Sequence, residues 1–307
     1  MKKLSLVVAL PGENAYLREQ EAVARDTADR LNIGLRTMNA NSDAVTQSQQ
    51  LLEVIQSKSA PLPDAIVVEP VTAMGLPRVA EAAVAAGVAW VMSNAEADYL
   101  DRLRKTSKVP VFAVSQDHHG IGRLQAQQFS VLLPDGGSVL YLRGPVSNSL
   151  ATRRAGGIDG NTPPRIRTKT LKIQWTEQNA YQSVTSWLRL PSVHAADVDL
   201  VSSQNTDFIM GARRAFQEHW EAEERQRWLN RLYTAAGLLR QTKPLVDQGV
   251  LTAAVATSLT MDVALEMLVR ALKTGTQPPE HTFVQTSSYP SLEDLSRKRA
   301  LSKPLAP

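Results

Sequence analysis

Short apolar runs alternate along the chain with longer stretches of helical period. "LSLVVAL" (4–10) reads as a first buried strand. "AYLREQEAVARDTADRLN" (15–32) reads as a helix whose Leu17, Ala24, Ala28 and Leu31 form one apolar stripe. "IGLRTMNA" (33–40) predicts a strand, and "SDAVTQSQQLLEVIQSK" (42–58) a helix capped by Ser42 or Asp43. "DAIVVEP" (64–70) is a strand stopped by Pro70, and "GLPRVAEAAVAAG" (75–87) a helix closed by Gly87. "VAWVMSN" (88–94) and "PVFAVSQ" (110–116) are strands flanking a polar helix at 97–107.

The second half keeps the rhythm. A helix at 118–133 ends before Pro134-Asp135-Gly136-Gly137, a turn signal. Strands are expected at 138–144, 165–175, 198–203 and 252–258. Helices are expected near 149–157 and at 178–190, 207–219, 221–230 and 261–275. The runs "RLYTAAG" (231–237) and "TKPLVDQGVL" (242–251) lie between, and "HTFVQTSSYP" (281–290) offers a last strand. Strands that are continuously apolar between helices imply parallel sheets covered on both faces. About a dozen strands exceed what one compact sheet usually holds, so the natural division is two sheets in two domains. Ligands of such sheets bind beyond the carboxyl ends of the strands. That rule selects 11–16, 69–74, 93–96, 115–119, 144–152, 175–178, 204–208, 235–241 and 257–260.

Composition narrows the class. A length of 307 residues fits two ordinary domains, and 43% hydrophobic with 21% charged residues is a globular balance. The net charge of +4, from 34 basic and 30 acidic residues, is a small excess and argues against a nucleic-acid partner. The absence of Cys excludes disulfides, thiol catalysis and Cys-based metal sites. No apolar stretch is long enough for a membrane-spanning helix, so no direct membrane insertion is expected. The start, "MKKLSLVVALPGENAYLREQ", imitates a secretory signal, but its apolar run is short and no small-residue cleavage site precedes Glu13. The expectation is a cytoplasmic protein, or a periplasmic one whose export signal has been removed.

Catalytic motifs are missing. There is no phosphate-binding loop, no Gly-x-Gly-x-x-Gly turn and no Gly-x-Ser-x-Gly elbow. "AGGIDG" (155–160) follows a helix and reads as a loop or helix end. His118 and His119 are adjacent, do not converge on one metal, and read as a solvent-exposed helix start. No cofactor and no metal are expected. Glu69, Asp117 and Asp207 fall at strand ends or a helix start, where each has a structural role; together they mark a polar cleft. Tyr16, Trp175 and Phe208 add flat apolar faces suited to sugars or planar heterocycles. Trp187, Trp220 and Trp228 read as packing residues, and Arg153-Arg154 and Arg213-Arg214 as helix surface. Arg165, Arg167 and Lys169 read as a basic strand face at a solvated edge. In "SQNTDFIMGARRA" (203–215), Asn205 or Thr206 caps a helix and Asp207 meets its dipole. Asn205→Ala or Phe208→Ala is expected to weaken ligand binding without unfolding the protein.

Several segments carry a resemblance. They are Asn14-Ala15-Tyr16-Leu17, Glu69-Pro70-Val71-Thr72, Ser115-Gln116-Asp117, "LYLRGPVSNSLATRRAGG" (140–157), "SQNTDFIMGARRAF" (203–216) and "VDQGVLTAAVATSLTMDVALEMLVRALKTG" (246–275). From about Leu4 to Val284 the chain resembles the ribose-type periplasmic solute-binding proteins, relatives of the effector domains of lac-repressor-type regulators. The resemblance implies an α/β fold of two doubly wound parallel-sheet domains joined by a multi-strand hinge, the type I periplasmic-binding-protein architecture. Its lobes would be 1–114 plus about 257–281, and 115–256 plus about 282–307. It implies a non-catalytic protein that closes its two lobes around a small polar, sugar-like ligand for ABC-type uptake or sensing. The partner would be a transporter permease or a sensor protein. The alternatives are a cytoplasmic ligand-sensing effector domain without a DNA-binding headpiece and, third, an α/β enzyme.

The ligand-binding set implied is Asn14, Tyr16, Glu69, Asn94, Asp117, Thr152, Trp175, Asn205, Asp207, Phe208, Ala236 and Thr257. The departures point one way. The family's sugar-binding Arg falls near Thr152, its Asp–Arg pair near Ser93-Asn94, and its Asp near Ala236-Gly237. Its closing Gln falls near Thr257, and Thr206 stands for the Asp that follows Asn205. A site that loses charged hydroxyl-binding groups changes its ligand, because unmatched buried polar groups are costly. A ligand other than ribose or galactose is expected.

Overall fold

The apolar runs become strands because their β-branched and aliphatic side chains are covered on both faces. A computed structural model describes residues 3–72, 76–219 and 221–301. The chain divides into two units, one running through Gln116 and including Leu259–Val284, the other made of Asp117–Ser258 and the chain from Gln285 onward.

The first unit contains β1 (Ser5–Leu10), α1 (Ala15–Leu31), β2 (Gly34–Asn39), α2 (Ala44–Gln56), β3 (Ala65–Val68), α3 (Pro77–Ala85), β4 (Ala89–Ser93), α4 (Tyr99–Thr106) and β5 (Val111–Gln116). The second begins with α5 (His118–Leu132), β6 (Gly137–Arg143), α6 (Ser149–Asp159), β7 (Ile166–Lys172), α7 (Glu177–Leu188) and β8 (Leu200–Ser203). It continues with α8 (Thr206–Gln217), α9 (Ala222–Leu229), β9 (Leu232–Leu238), α10 (Leu239–Asp247) and β10 (Ala253–Thr257). Then α11 (Met261–Thr274) and β11 (His281–Val284) return to the first unit, and β12 (Ser287–Tyr289) and α12 (Leu292–Leu301) to the second.

Each unit is a six-stranded sheet with helices on both faces, ordered β11-β5-β4-β3-β1-β2 in the first and β12-β10-β9-β8-β6-β7 in the second. All neighbours in the first sheet are parallel; in the second, β12 alone runs antiparallel, against β10. The period of two in a strand sorts each core. From β1, Leu6, Val8 and Leu10 pack with α1 and α11, through Leu17, Ala24, Leu265 and Leu268. Val7 and Ala9 pack on the opposite face with Leu51, Val79 and Leu100 of α2, α3 and α4. In the second unit, Leu140 and Leu142 of β6 face α7 and α8, whereas Val139 and Tyr141 face α5 and α6.

Three segments differ from expectation. The stretch 281–290 is two strands in two sheets, because the chain changes unit after Val284. The untyped stretch 242–251 supplies most of α10, which accommodates Pro244 within it. Helix α12, not legible in the pattern, is anchored by a single buried residue, Leu295.

Candidate functional site

At the carboxyl end of the first sheet, Asn14 follows β1 and caps α1: its Oδ1 accepts from the Leu17 amide at 2.8 Å. Tyr16 is half-buried in the first turn of α1. Its hydroxyl accepts from Gln20 Nε2 at 2.6 Å and from Gln116 Nε2 at 3.2 Å. Gln20 is fully buried, and its Oε1 accepts from the amides of Thr260 (3.2 Å) and Met261 (3.1 Å). It thereby supplies the cap that no Thr260 side-chain bond gives to α11. Thr260 Oγ1 accepts from Gln20 Nε2 at 2.7 Å and lies 2.8 Å from Ser93 Oγ. One polar network thus joins the ends of β4 and β5 to the starts of α1 and α11.

Glu69 is the first residue beyond β3 and is 7% exposed. Its Oε1 accepts from Asn94 Nδ2 at 2.9 Å, and its backbone carbonyl from Gln47 Nε2 at 2.9 Å. Oε2 has no hydrogen-bond partner among the described residues. Burial pushes this carboxyl up to about 7; the Asn94 hydrogen bond opposes that rise. Asn94 holds a left-handed backbone, φ 53°, which Asn tolerates better than most residues. Helices α1 and α2 lie on opposite faces of the sheet, so the chain's winding reverses between β1 and β3. Glu69 and Asn14 follow those two strands and therefore flank the sheet's topological switch point, the usual ligand crevice of an open α/β sheet.

At the carboxyl end of the second sheet, Asp117 caps α5 by accepting from the Gly120 amide at 2.7 Å. Asn205 caps α8 by accepting from the Phe208 amide at 2.9 Å, and Asp207 lies in the first turn, where the helix dipole favours an anion. Thr152 is exposed on α6; its hydroxyl donates to the Val146 carbonyl at 3.1 Å and accepts from Arg143 Nη2 at 3.3 Å. Thr257, the last residue of β10, is buried. Ala236 lies inside β9, not beyond its end, and packs with Ile121 and Val255.

The aromatic pair is built as a plate and its backing. Trp175, half-buried between β7 and α7, stacks on Phe208 with centroids 5.2 Å apart and planes 19° apart. A Cβ on Gly144 would lie 2.4 Å from the Trp175 ring, so glycine there lets the indole settle against the chain. Phe208 is wholly buried in the core. Truncating Phe208 therefore acts on stability first, by about 3–5 kcal/mol for a large aromatic in a core, and the ring with a face left over is Trp175.

Sequence reasoning missed residues that shape this end. Arg154 and His118, expected on the surface, are both buried. The cause is the close approach of α5 and α6: a Cβ on Gly122 would meet the Arg154 carbonyl at 2.0 Å, and one on Gly157 the His119 carbonyl at 2.2 Å. "AGGIDG" is accordingly the C-terminal end of α6 with Gly160 as its cap, and Gly157 is the glycine that makes the contact. Arg154 Nε donates to His118 Nδ1 at 3.4 Å, and Arg154 Nη1 donates to the Gln204 carbonyl. Gln204 in turn bonds the Ala151 carbonyl (2.8 Å) and the Gly144 amide (2.9 Å), fixing the loop after β6 to the end of β8. Arg143 closes β6 one residue before the interval the strand-end rule selected. Among the other sequence assignments, Trp187 and Trp228 are buried as expected, and Trp220 lies outside the described residues. Among the described residues no helix is long and apolar enough to cross a membrane, and no group of His, Cys, Asp or Glu could hold a metal ion.

A family model described as a periplasmic binding protein domain matches residues 6–277. No curated protein matches the chain. Among solved structures, the chain is similar to a galactofuranose binding protein, with a TM-score of 0.77 and 20% identity over 97% of this chain and 99% of that one. It is similar to an ABC transporter periplasmic solute binding protein from Actinobacillus succinogenes 130z with bound D-allose, with a TM-score of 0.79 and 17% identity over 96% and 100% of the two chains. It is also similar to the fructose binding periplasmic domain of a hybrid two component system, with a TM-score of 0.74 and 18% identity over 97% and 95%.

Proposed function

The chain belongs to the periplasmic binding protein domain family, and from that premise we propose that it is a non-catalytic solute-binding protein for a small polar, sugar-like ligand. The observation that carries this reading is the chemistry of the strand ends. In the first unit, a buried carboxyl at the switch point has one oxygen without a partner among the described residues. In the second, the Trp175 plate rests on Phe208 and against Gly144, the residue after Arg143, whose guanidinium bonds Thr152. Stacking on a flat ring combined with a few directed hydrogen bonds is how proteins hold sugars and polyols.

The acids at the other strand ends support binding over turnover. Asp117 spends an oxygen on a helix cap, as do the amides Asn14 and Asn205, so these side chains shape the rim. The partner that reads the bound state is an ABC-type permease or a sensor protein, since structural relatives of both settings share this fold. Periplasmic residence follows from the same reading and is tested by fractionation of the native host.

The test of function is a thermal-shift and calorimetric screen over neutral sugars, polyols and amino sugars. Saturable stabilisation by at least one, with the ligand recovered unchanged, is expected. No stabilisation across the panel removes the reading, and consumption of a bound ligand replaces it with an enzyme.

A further inference from the structure

The strand-end side chains of the two units divide by occupation. Asn14, Asp117 and Asn205 each accept an amide proton from the helix that follows. Glu69 does not: its carboxyl receives Asn94 Nδ2 and no backbone amide, and Oε2 receives nothing among the described residues. The side chain is nonetheless 7% exposed, and among the described residues no charged neighbour influences its ionisation. Acids this deeply covered are ordinarily paired with a cation or fully hydrogen-bonded, because losing the hydration of an unpaired carboxylate costs several kcal/mol. Glu69 therefore carries a burial cost without a structural return, and it carries it at the switch-point crevice of its sheet.

Such a group is explained by what it is to hold. For the carboxyl in its ionised form, the missing partner is a hydrogen-bond donor and the missing charge is positive. An ammonium is both at once: it offers donors only, and it brings into the crevice the cation that no described side chain nearby supplies. A ligand hydroxyl can also donate to Oε2, but it leaves the carboxylate's charge unbalanced. We propose that Glu69 recognises an ammonium group on the ligand, so that the solute is an amino sugar or a related amino polyol. This rests on the solute-binding reading above and names the ligand class within it. Asn94 positions the carboxyl, holding Oε1 so that Oε2 faces the amine.

The test is calorimetric titration at pH 7.5 with matched probes: D-glucosamine against D-glucose, D-galactosamine against D-galactose, and each amine against its N-acetyl derivative. In the wild-type chain at least one amine is expected to bind more tightly than both its neutral sugar and its N-acetyl derivative by at least about tenfold, about 1.4 kcal/mol. Glu69→Gln keeps the shape and removes the charge, and it is expected to abolish that preference while the protein melts cooperatively. The N-acetyl comparison reads the same interaction from the ligand side and needs no variant. A neutral sugar bound as tightly as its amine, or a preference that survives in Glu69→Gln, overturns this inference and leaves the solute-binding reading standing. Failure of all these probes overturns the inference; failure of the wider panel removes the solute-binding reading as well.

Discussion

At Glu69 the acid's ordinary pKa of 4.5 is raised to about 7 by burial, so the folded chain holds a proton that the unfolded chain has released between those values. The sign follows from linkage: stability is highest below about pH 4.5 as far as this group is concerned. It is lost as pH rises toward 7 and is flat beyond. The loss is on the order of 3 kcal/mol for a shift of this size. Urea unfolding of wild type and Glu69→Gln at pH 5 and pH 8 should therefore show curves that diverge with pH, the variant being the more stable at pH 8. Parallel curves would mean that the carboxyl is hydrated or paired. At Trp175, Gly144→Ala would push a Cβ to 2.4 Å from the indole and displace the plate. Ligand affinity should fall by about tenfold, as for loss of one aromatic contact, with a shifted tryptophan emission. Unchanged affinity would take Trp175 out of the site. The strand-end rule selects Glu69 and Trp175 in the sequence because it needs only strand boundaries. It could not show that Oε2 has no partner among the described residues or that Phe208 is wholly buried under Trp175, since both depend on residues distant in the chain.

Helices α1 and α11 show how an element depends on a residue far from it in sequence. Gln20 caps α11 from across 240 positions, and its amide nitrogen also binds the Thr260 hydroxyl. Gln20→Ala would leave the Thr260 and Met261 amides buried without partners, at a cost of about 2–4 kcal/mol for the group. It would also release the Tyr16 hydroxyl from the Gln20 donor. Chemical denaturation should register the loss, and amide exchange should quicken at the start of α11 before it does elsewhere. Uniform exchange would show that the cap is dispensable. Elements with a strong local signature were legible: continuous apolar runs gave the central strands of both sheets, and the cap pairs Ser42-Asp43 and Asn205-Thr206 marked helix starts, the structure choosing Asp43 and Asn205. Where the determinant is a contact, the pattern failed. "AGGIDG" read as a loop or helix end, and nothing in the pattern showed that its Gly157 admits α5; α12 has one buried residue, Leu295.

Over the whole molecule, the alternation of strands and helices was enough to predict two parallel-sheet units, because helix-covered sheets leave a period that no local propensity can imitate. The departures from the family's charged contacts raise the expectation of a changed ligand but not its class. The proposed class rests on the Glu69 oxygen that has no partner among the described residues, which only the folded chain reveals. The ligand's effect on the whole molecule follows from mass action. A solute that binds the folded chain and not the unfolded one adds RT ln(1 + [L]/Kd), about 2.7 kcal/mol at a hundredfold excess over Kd. For units of this size that corresponds to a rise in Tm of roughly 5–10 °C. The rise should continue with the logarithm of ligand concentration after the site is saturated, because saturation ends occupancy change but not linkage. It should be smaller for an amine ligand in Glu69→Gln at the same concentration, even though that variant starts from a higher Tm at pH 8. A ligand that gives a calorimetric isotherm but leaves Tm flat binds folded and unfolded chains alike, and would be a surface association with no part in the crevice.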